Sequence, residues 1–160
     1  DGAQARAIFS GILAEAGSET GSTAADEGID AVFAANDVLA GAVVQVLKAQ
    51  GRAPLLLSGQ DATVEALQNI LAGWQTMTVY KPIQQEASTA VVAALTFLNC
   101  EGADTLNTTP INNGAADVPS ILLEPTAVTK DNIAATVIAD GFRTWDELCA
   151  GEYAQFCPQE

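Results

Sequence analysis

Histidine is absent from this chain of 160 residues, and basic side chains are scarce: six Lys and Arg stand against twenty Asp and Glu. Without histidine there is no Ser-His or Cys-His nucleophile pair, no usual general base and no common metal ligand. Carboxylates and lysines could still act as acids and bases, so catalysis is disfavoured rather than excluded. A formal charge of −14 argues against nucleic acid as a partner, because neutralising phosphates takes Lys and Arg. It also disfavours anionic membrane surfaces. No apolar run approaches the roughly 20 residues that cross a bilayer. Aromatics make up 6% and cysteines number three. The sequence has no initiating Met and no recognisable signal peptide, and it opens on Asp1-Gly2-Ala3-Gln4 inside a helical pattern. The expectation is a processed chain or a fragment of a longer one.

What is present suits a packed α/β domain. Hydrophobic residues reach 49%, with Ala and Val prominent. Apolar spacing at Ala3, Ala7, Ile8, Ile12, Leu13 and Ala16 predicts a first helix stopped by Gly17, and 18–28 has the composition of a loop. Three units of strand, polar tip and helix follow between Asp30 and Leu98. The predicted strands are 30–35, 54–57 and 75–80. Their continuous apolar runs (Ala31-Val32-Phe33-Ala34, Leu55-Leu56-Leu57) are those of a parallel sheet covered on both faces. The helices after them end at Gly51, at Gly73 and near Leu98, the last being opened by Pro82. From Cys100 to Val118 the chain is polar and non-periodic. A fourth strand is predicted at 120–124 and a short helix from Thr129 through Ile138, ended by Gly141. Strands alternating with helices give βα units, a parallel sheet and an α/β sandwich of three layers.

Parallel sheets bind ligands beyond the carboxyl ends of their strands. Three polar tips lie there: Ala35-Asn36-Asp37, Ser58-Gly59-Gln60-Asp61-Ala62 and Tyr80-Lys81-Pro82. Asn36 divides evenly between a helix cap and a ligand contact, and Asp61 carries the same ambiguity. Lys81 has no capping role, although a surface Lys is the default. Together an amide, a carboxylate and an ammonium suit a polyol, which needs partners that both donate and accept. Gln60 adds a second amide. Trp74 and Tyr80 could wall a sugar ring, with core packing the simpler reading of each. There is no G-x-G-x-x-G or G-x-x-x-x-G-K-[ST] phosphate loop and no metal-loop spacing, so no cofactor or metal is expected. Cys149 and Cys157 enclose a short polar loop at the chain's end. Zinc would need more ligands than this loop offers, so a disulfide is favoured, implying an oxidising compartment. Cys100 reads as a partly buried free thiol.

These same residues resemble a known family. Ala31-Val32-Phe33-Ala34-Ala35-Asn36-Asp37-Val38-Leu39-Ala40-Gly41-Ala42, Ser58-Gly59-Gln60-Asp61-Ala62 and Gln75-Thr76-Met77-Thr78-Val79-Tyr80-Lys81-Pro82-Ile83 are similar to type I periplasmic sugar-binding proteins, in particular the xylose-binding receptors of ABC transporters. Val118–Pro125, Val128–Ile133 and the Cys149–Cys157 segment extend the resemblance from Asp30 almost to the chain's end. It implies one lobe of a two-lobe receptor that closes on a monosaccharide, with sugar contacts at Asn36, Asp61 and Lys81 and a disulfide between Cys149 and Cys157. It further implies an ABC permease as partner and a periplasmic or extracellular location, lipid-anchored where the source lacks an outer membrane. Residues 1–81 then form the sugar-binding lobe, incomplete near 17–29. Residues 82–117 carry a crossover helix belonging to the amino-terminal lobe of relatives, and 118–160 return to a disulfide-closed end. Relatives have about twice this length, so helix 82–99 would pack on nothing here, or on a partner. The leading expectation is a receptor for a pentose such as xylose, performing no chemistry. The alternatives are an effector-binding module of a sugar-responsive regulator, which the disulfide and acidic charge oppose, and an enzyme using Asp61 and Lys81 as an acid–base pair.

Overall fold

The computed structural model describes residues 1–19 and 29–158, and these separate into two compact units. The first comprises Asp1–Tyr80 and Thr126–Glu160, the second Lys81–Pro125.

In the first unit, helix α1 (Gly2–Glu19) leads to strand β1 (Ala31–Val32), helix α2 (Asp37–Ala49), strand β2 (Leu56–Leu57), helix α3 (Val64–Leu71) and strand β3 (Thr78–Tyr80). Strand β1 pairs with β2 in parallel register, Ala31 opposite Leu56 and Val32 opposite Leu57. The hydrogen bonding continues beyond the strands themselves. Thr76 N–H donates to Leu57 O, Val79 N–H to Gly59 O and Asp61 N–H to Val79 O, which is the staggered pattern of a parallel ladder. The order of segments is therefore β1, β2, β3. The chain returns after the second unit through β6 (Thr126–Val128), which pairs antiparallel with β3, Val79 opposite Ala127. The parallel sheet expected from the sequence thus carries one antiparallel edge strand, a common arrangement in mixed sheets.

Helix α2 shows how the sequence builds this unit. Asn36 in extended conformation caps it, Gly51 at φ +66° releases its end, and Lys48 lies in its last turn, where a cation suits the helix dipole. Its buried stripe, Ala40, Val43, Val44, Val46 and Leu47, packs with Phe9 and Leu13 of α1 and with Leu57 of β2. Each large side chain so buried contributes about 1.5–3 kcal/mol. Over residues 2–16 of α1 the buried positions are Phe9 and Leu13, whereas Ile8 and Ile12 are exposed. Helix α1 also runs through Gly17, where a stop was expected, since one glycine in a helix costs only about 1 kcal/mol. Of the expected 18–28 loop, residues 20–28 lie outside the described residues.

A second cluster joins Leu67, Ile70 and Leu71 of α3 to Tyr80, Val128, Ile133, Val137 and Leu148. It is completed by a π-helical turn (Ala134–Ile138), where a regular short helix was expected, and by helix α5 (Trp145–Leu148). Thr144 and Glu147 form a reciprocal capping box on α5, which holds the Glu147 carboxyl below its ordinary pKa through the Thr144 backbone N–H, then the Thr144 hydroxyl. Cys149 and Cys157 form the disulfide, with Cα atoms 5.9 Å apart.

Two expectations about the strands need correction. Phe33 is 90% exposed and Leu56 62% exposed, so the β1–β2 segment is covered on one face only among the described residues. A continuous apolar run does not by itself show that both faces find a partner. The strand expected at 120–124 lies earlier, because it pairs with a segment that the sequence reading left as loop. In the second unit, β4 (Thr109–Asn112) and β5 (Asp117–Ser120) form an antiparallel hairpin. Asn113 organises its turn: Oδ1 accepts from the N–H groups of Ala115 and Ala116, and Gly114 supplies φ +91°. Pro110 faces Pro119, and neither can donate, so the ladder rests on the pairs either side.

The rest of the second unit is helix α4 (Ile83–Leu98) and a 3₁₀ turn. None of its residues from Lys81 to Pro125 is buried. Val91, Val92, Leu95, Phe97 and Leu98 are all exposed on α4. Cys100, expected to be partly buried, is an exposed free thiol at φ +60°, just past the end of α4 where no core reaches it.

Candidate functional site

The first two polar tips meet in the first unit. Asn36 lies at the end of the β1 segment and half-buried, with its Oδ1 accepting from Leu39 N–H at 3.0 Å. The cap reading is therefore correct for the oxygen, while Nδ2 has no partner among the described residues. The next residue, Asp37, binds the second tip directly: its N–H donates to Gln60 O at 2.9 Å. Gln60 and Asp61 are half-buried. Asp61 is not the cap of α3. Thr63 takes that role, its hydroxyl accepting from Ala66 N–H at 3.2 Å. Asp61 and Ala62 instead adopt φ of +101° and +46°, conformations that cost non-glycine residues on the order of 1–3 kcal/mol. Lys81 is half-buried and opens the second unit.

The residues that hold these tips were not singled out from the sequence as a group. Asp37 is 4% exposed, and both its oxygens only accept: Oδ1 from the Thr78 hydroxyl at 2.8 Å and Gln75 Nε2 at 3.2 Å, Oδ2 from Thr63 N–H at 2.9 Å. Gln75 Nε2 also donates to Met77 O at 3.0 Å. One buried carboxylate thus ties the first tip to the second and to β3. Gly59 passes so close to it that an added Cβ would collide with Asp37 Oδ1 and Gln75 Nε2. From the C-terminal segment, Arg143 Nε donates to Ala62 O at 3.0 Å. The Arg143 guanidinium lies 4.0 Å from the Phe142 ring centroid, and that ring packs at 4.9 Å on Tyr80. The Tyr80 hydroxyl donates to Asp140 Oδ2. Tyr80 is therefore a core residue, and Trp74 packs against the core with Lys48 Nζ 5.1 Å over its ring. Neither is given to a ligand wall.

The second unit offers a groove of about 470 Å³ lined by residues including Ala90, Ala93, Phe97, Leu106, Pro119 and Leu122. Its lining is mainly apolar, which does not suit a polyol. Among the described residues no group of three or more His, Cys, Asp or Glu side chains could hold a metal ion, and no helix is long and apolar enough to cross a membrane.

The arrangement is an α/β sheet whose strand-end loops carry amides and a carboxylate and are held by buried hydrogen bonds. The profile of the periplasmic binding protein domain matches residues 12–103, and the chain belongs to that family. It is 48% identical over 131 residues to the D-xylose-binding periplasmic protein of Escherichia coli K12, covering 81% of this chain and 39% of that protein. The D-xylose-binding periplasmic protein of Haemophilus influenzae is 44% identical over the same length and with the same coverage. Among solved structures, a carbohydrate transporter solute binding protein from Chloroflexus aurantiacus, in complex with D-glucose, superposes with a TM-score of 0.76 at 30% identity, over 92% of this chain and 41% of that one. The fold is that of part of a type I periplasmic binding protein. The chain spans about two fifths of the length of the relatives it matches.

Proposed function

We propose that this chain is the ligand-binding part of an extracytoplasmic receptor that captures a monosaccharide, a pentose such as xylose being favoured, and hands it to a membrane permease without chemistry. The observation that carries this reading is the meeting of the Asn36 tip with the Gln60-Asp61 tip at the strand ends. Asn36 keeps an amide N–H₂ for a sugar hydroxyl, and the Asp61 carboxylate is a strong acceptor. Lys81, following β3 in the chain, is proposed as the third contact. The names of the relatives agree with a pentose. The Cys149–Cys157 disulfide agrees with an oxidising compartment outside the cytoplasm and disfavours a cytoplasmic regulator.

The second unit, without a buried residue, is proposed to gain its core from the remainder of the intact protein, as the resemblance of 82–117 to an amino-terminal lobe implies. Closure of two lobes on sugar would then be the state that a permease reads. Calorimetry on the intact protein with a panel of pentoses and hexoses tests the function. A pentose should bind most tightly, and Asp61→Asn should weaken it by about 10–100-fold, the worth of a charged hydrogen bond. Failure of every sugar to bind would refute the reading.

A further inference from the structure

We infer that Thr78, oriented by Asp37, is a positioning residue for the Asp61 carboxylate, acting through the backbone that carries it. The inference rests on the reading of Asp61 as a sugar contact. Asp61 and Ala62 both hold positive φ, and a backbone of that kind persists only where its surroundings over-determine it. Three consecutive N–H groups are captured here, each by a different acceptor. Asp61 N–H donates to Val79 O at 2.8 Å, Ala62 N–H to Thr78 Oγ1 at 3.2 Å and Thr63 N–H to Asp37 Oδ2 at 2.9 Å. In the same stretch Ala62 O accepts from Arg143 Nε at 3.0 Å.

Thr78 is the centre of this set. Its hydroxyl proton is committed to Asp37 Oδ1 at 2.8 Å, which turns a lone pair toward Ala62 N–H. Asp37 is in turn fixed by Gln75 Nε2 on the same oxygen. Thr78 is fully buried, and Asp37 and Gln75 are nearly so, so none of the three is placed to touch a ligand. Thr78 and Asp37 each accept from a loop N–H, and Gln75 supports them through Asp37. A hydroxyl that must donate to a carboxylate and accept from an amide admits serine and rejects valine, although valine has the shape of threonine.

The test compares Thr78→Val, Thr78→Ser and Asp61→Asn in the intact protein. D-xylose affinity is read by calorimetry at a temperature where Trp fluorescence shows full folding, and exchange of the Ala62 amide is read by NMR. Thr78→Val should weaken D-xylose at least about tenfold and speed Ala62 exchange by a similar factor, whereas Thr78→Ser should stay within about threefold of the parent in both. A purely structural role would lower the melting temperature and leave the affinity of the folded protein alone; that result overturns the inference. If Asp61→Asn abolishes binding while Thr78→Val does not change it, positioning fails and the site stands. If Asp61→Asn leaves affinity unchanged, the site reading fails and takes the inference with it. Should Thr78→Val not fold, Arg143→Met releases the same loop from a half-buried position, and unchanged affinity there overturns the inference.

Discussion

Replacing Asp37 by Asn is the most demanding test of the buried network, because it changes hydrogen bonding without changing shape. The carboxylate accepts on both oxygens, from Thr63 N–H on one side and from the Thr78 hydroxyl and Gln75 amide on the other. An amide has one oxygen, so one side must face an N–H₂ group. If that group meets Thr63, a half-buried backbone donor loses its partner. If it meets Thr78 and Gln75, Gln75 could turn its partnerless Oε1 toward it, but would then give up its bond to Met77 O. In that arrangement the Thr78 hydroxyl proton is also stranded. Either orientation leaves at least one buried or half-buried group unsatisfied, at about 1–3 kcal/mol, and the bonds that survive lose the strength a charged acceptor gives. The expected loss is about 3 kcal/mol, or about 6–12 °C in melting temperature at this chain length. Urea unfolding followed by Trp fluorescence reads the relevant unit, since Trp74 and Trp145, both tryptophans of the chain, belong to the first unit. The slope with urea should not change. A loss under about 1 kcal/mol would refute the claim that Asp37 ties the tips together.

Three further outcomes are expected. Cys157→Ser, made with Cys100→Ser to remove the exposed thiol, should destabilise the first unit by about 2.5 kcal/mol, the loop entropy of a bridge spanning 8 residues, and a melting temperature equal to the parent's would contradict it. Gly59→Ala should cost about 1–3 kcal/mol, because a methyl there presses on side chains already held by Asp37, and the same urea titration reads it. For Glu147, the folded pKa lies below the ordinary 4.5, so its contribution is fully present above that value and fades as pH falls through the lowered one. The gap in melting temperature between the parent and Glu147→Gln should therefore close on acidification below 4.5; a gap independent of pH would rule out the capping box as its source.

The succession of strands and helices was legible because α2 and α3 each carry a cap and a stop in sequence, the stops being Gly51 and Gly73, whereas Gly17 did not stop α1. Pairing was less legible. The antiparallel return of β6 beside β3 depends on where the chain goes after the second unit, which no local pattern encodes. The β4–β5 hairpin did have a local signal, Asn113-Gly114, but its strands are exposed on every residue except Ser120, so no alternation of apolar and polar positions marks them. Phe33 shows the converse limit. Its hydrophobicity says that it seeks burial, not that an element of this chain provides it.

At the site, the sequence left Asn36 and Asp61 each between a cap and a ligand contact, and geometry separates the two cases. For Asn36 the alternatives are compatible, since capping occupies Oδ1 and leaves Nδ2. For Asp61 the cap is removed to Thr63 by two residues of left-handed backbone. That conformation is invisible in sequence, because Asp-Ala carries no glycine to announce it. The cost of holding it falls on Asp37 and Thr78, which look in sequence like an ordinary first-turn acid and an ordinary strand threonine. Their burial is what reveals them. This buried carboxylate accepts from Thr63 N–H directly and orients the Thr78 hydroxyl that holds Ala62 N–H, so it fixes the loop from both sides, and that loop is the one that carries Asp61.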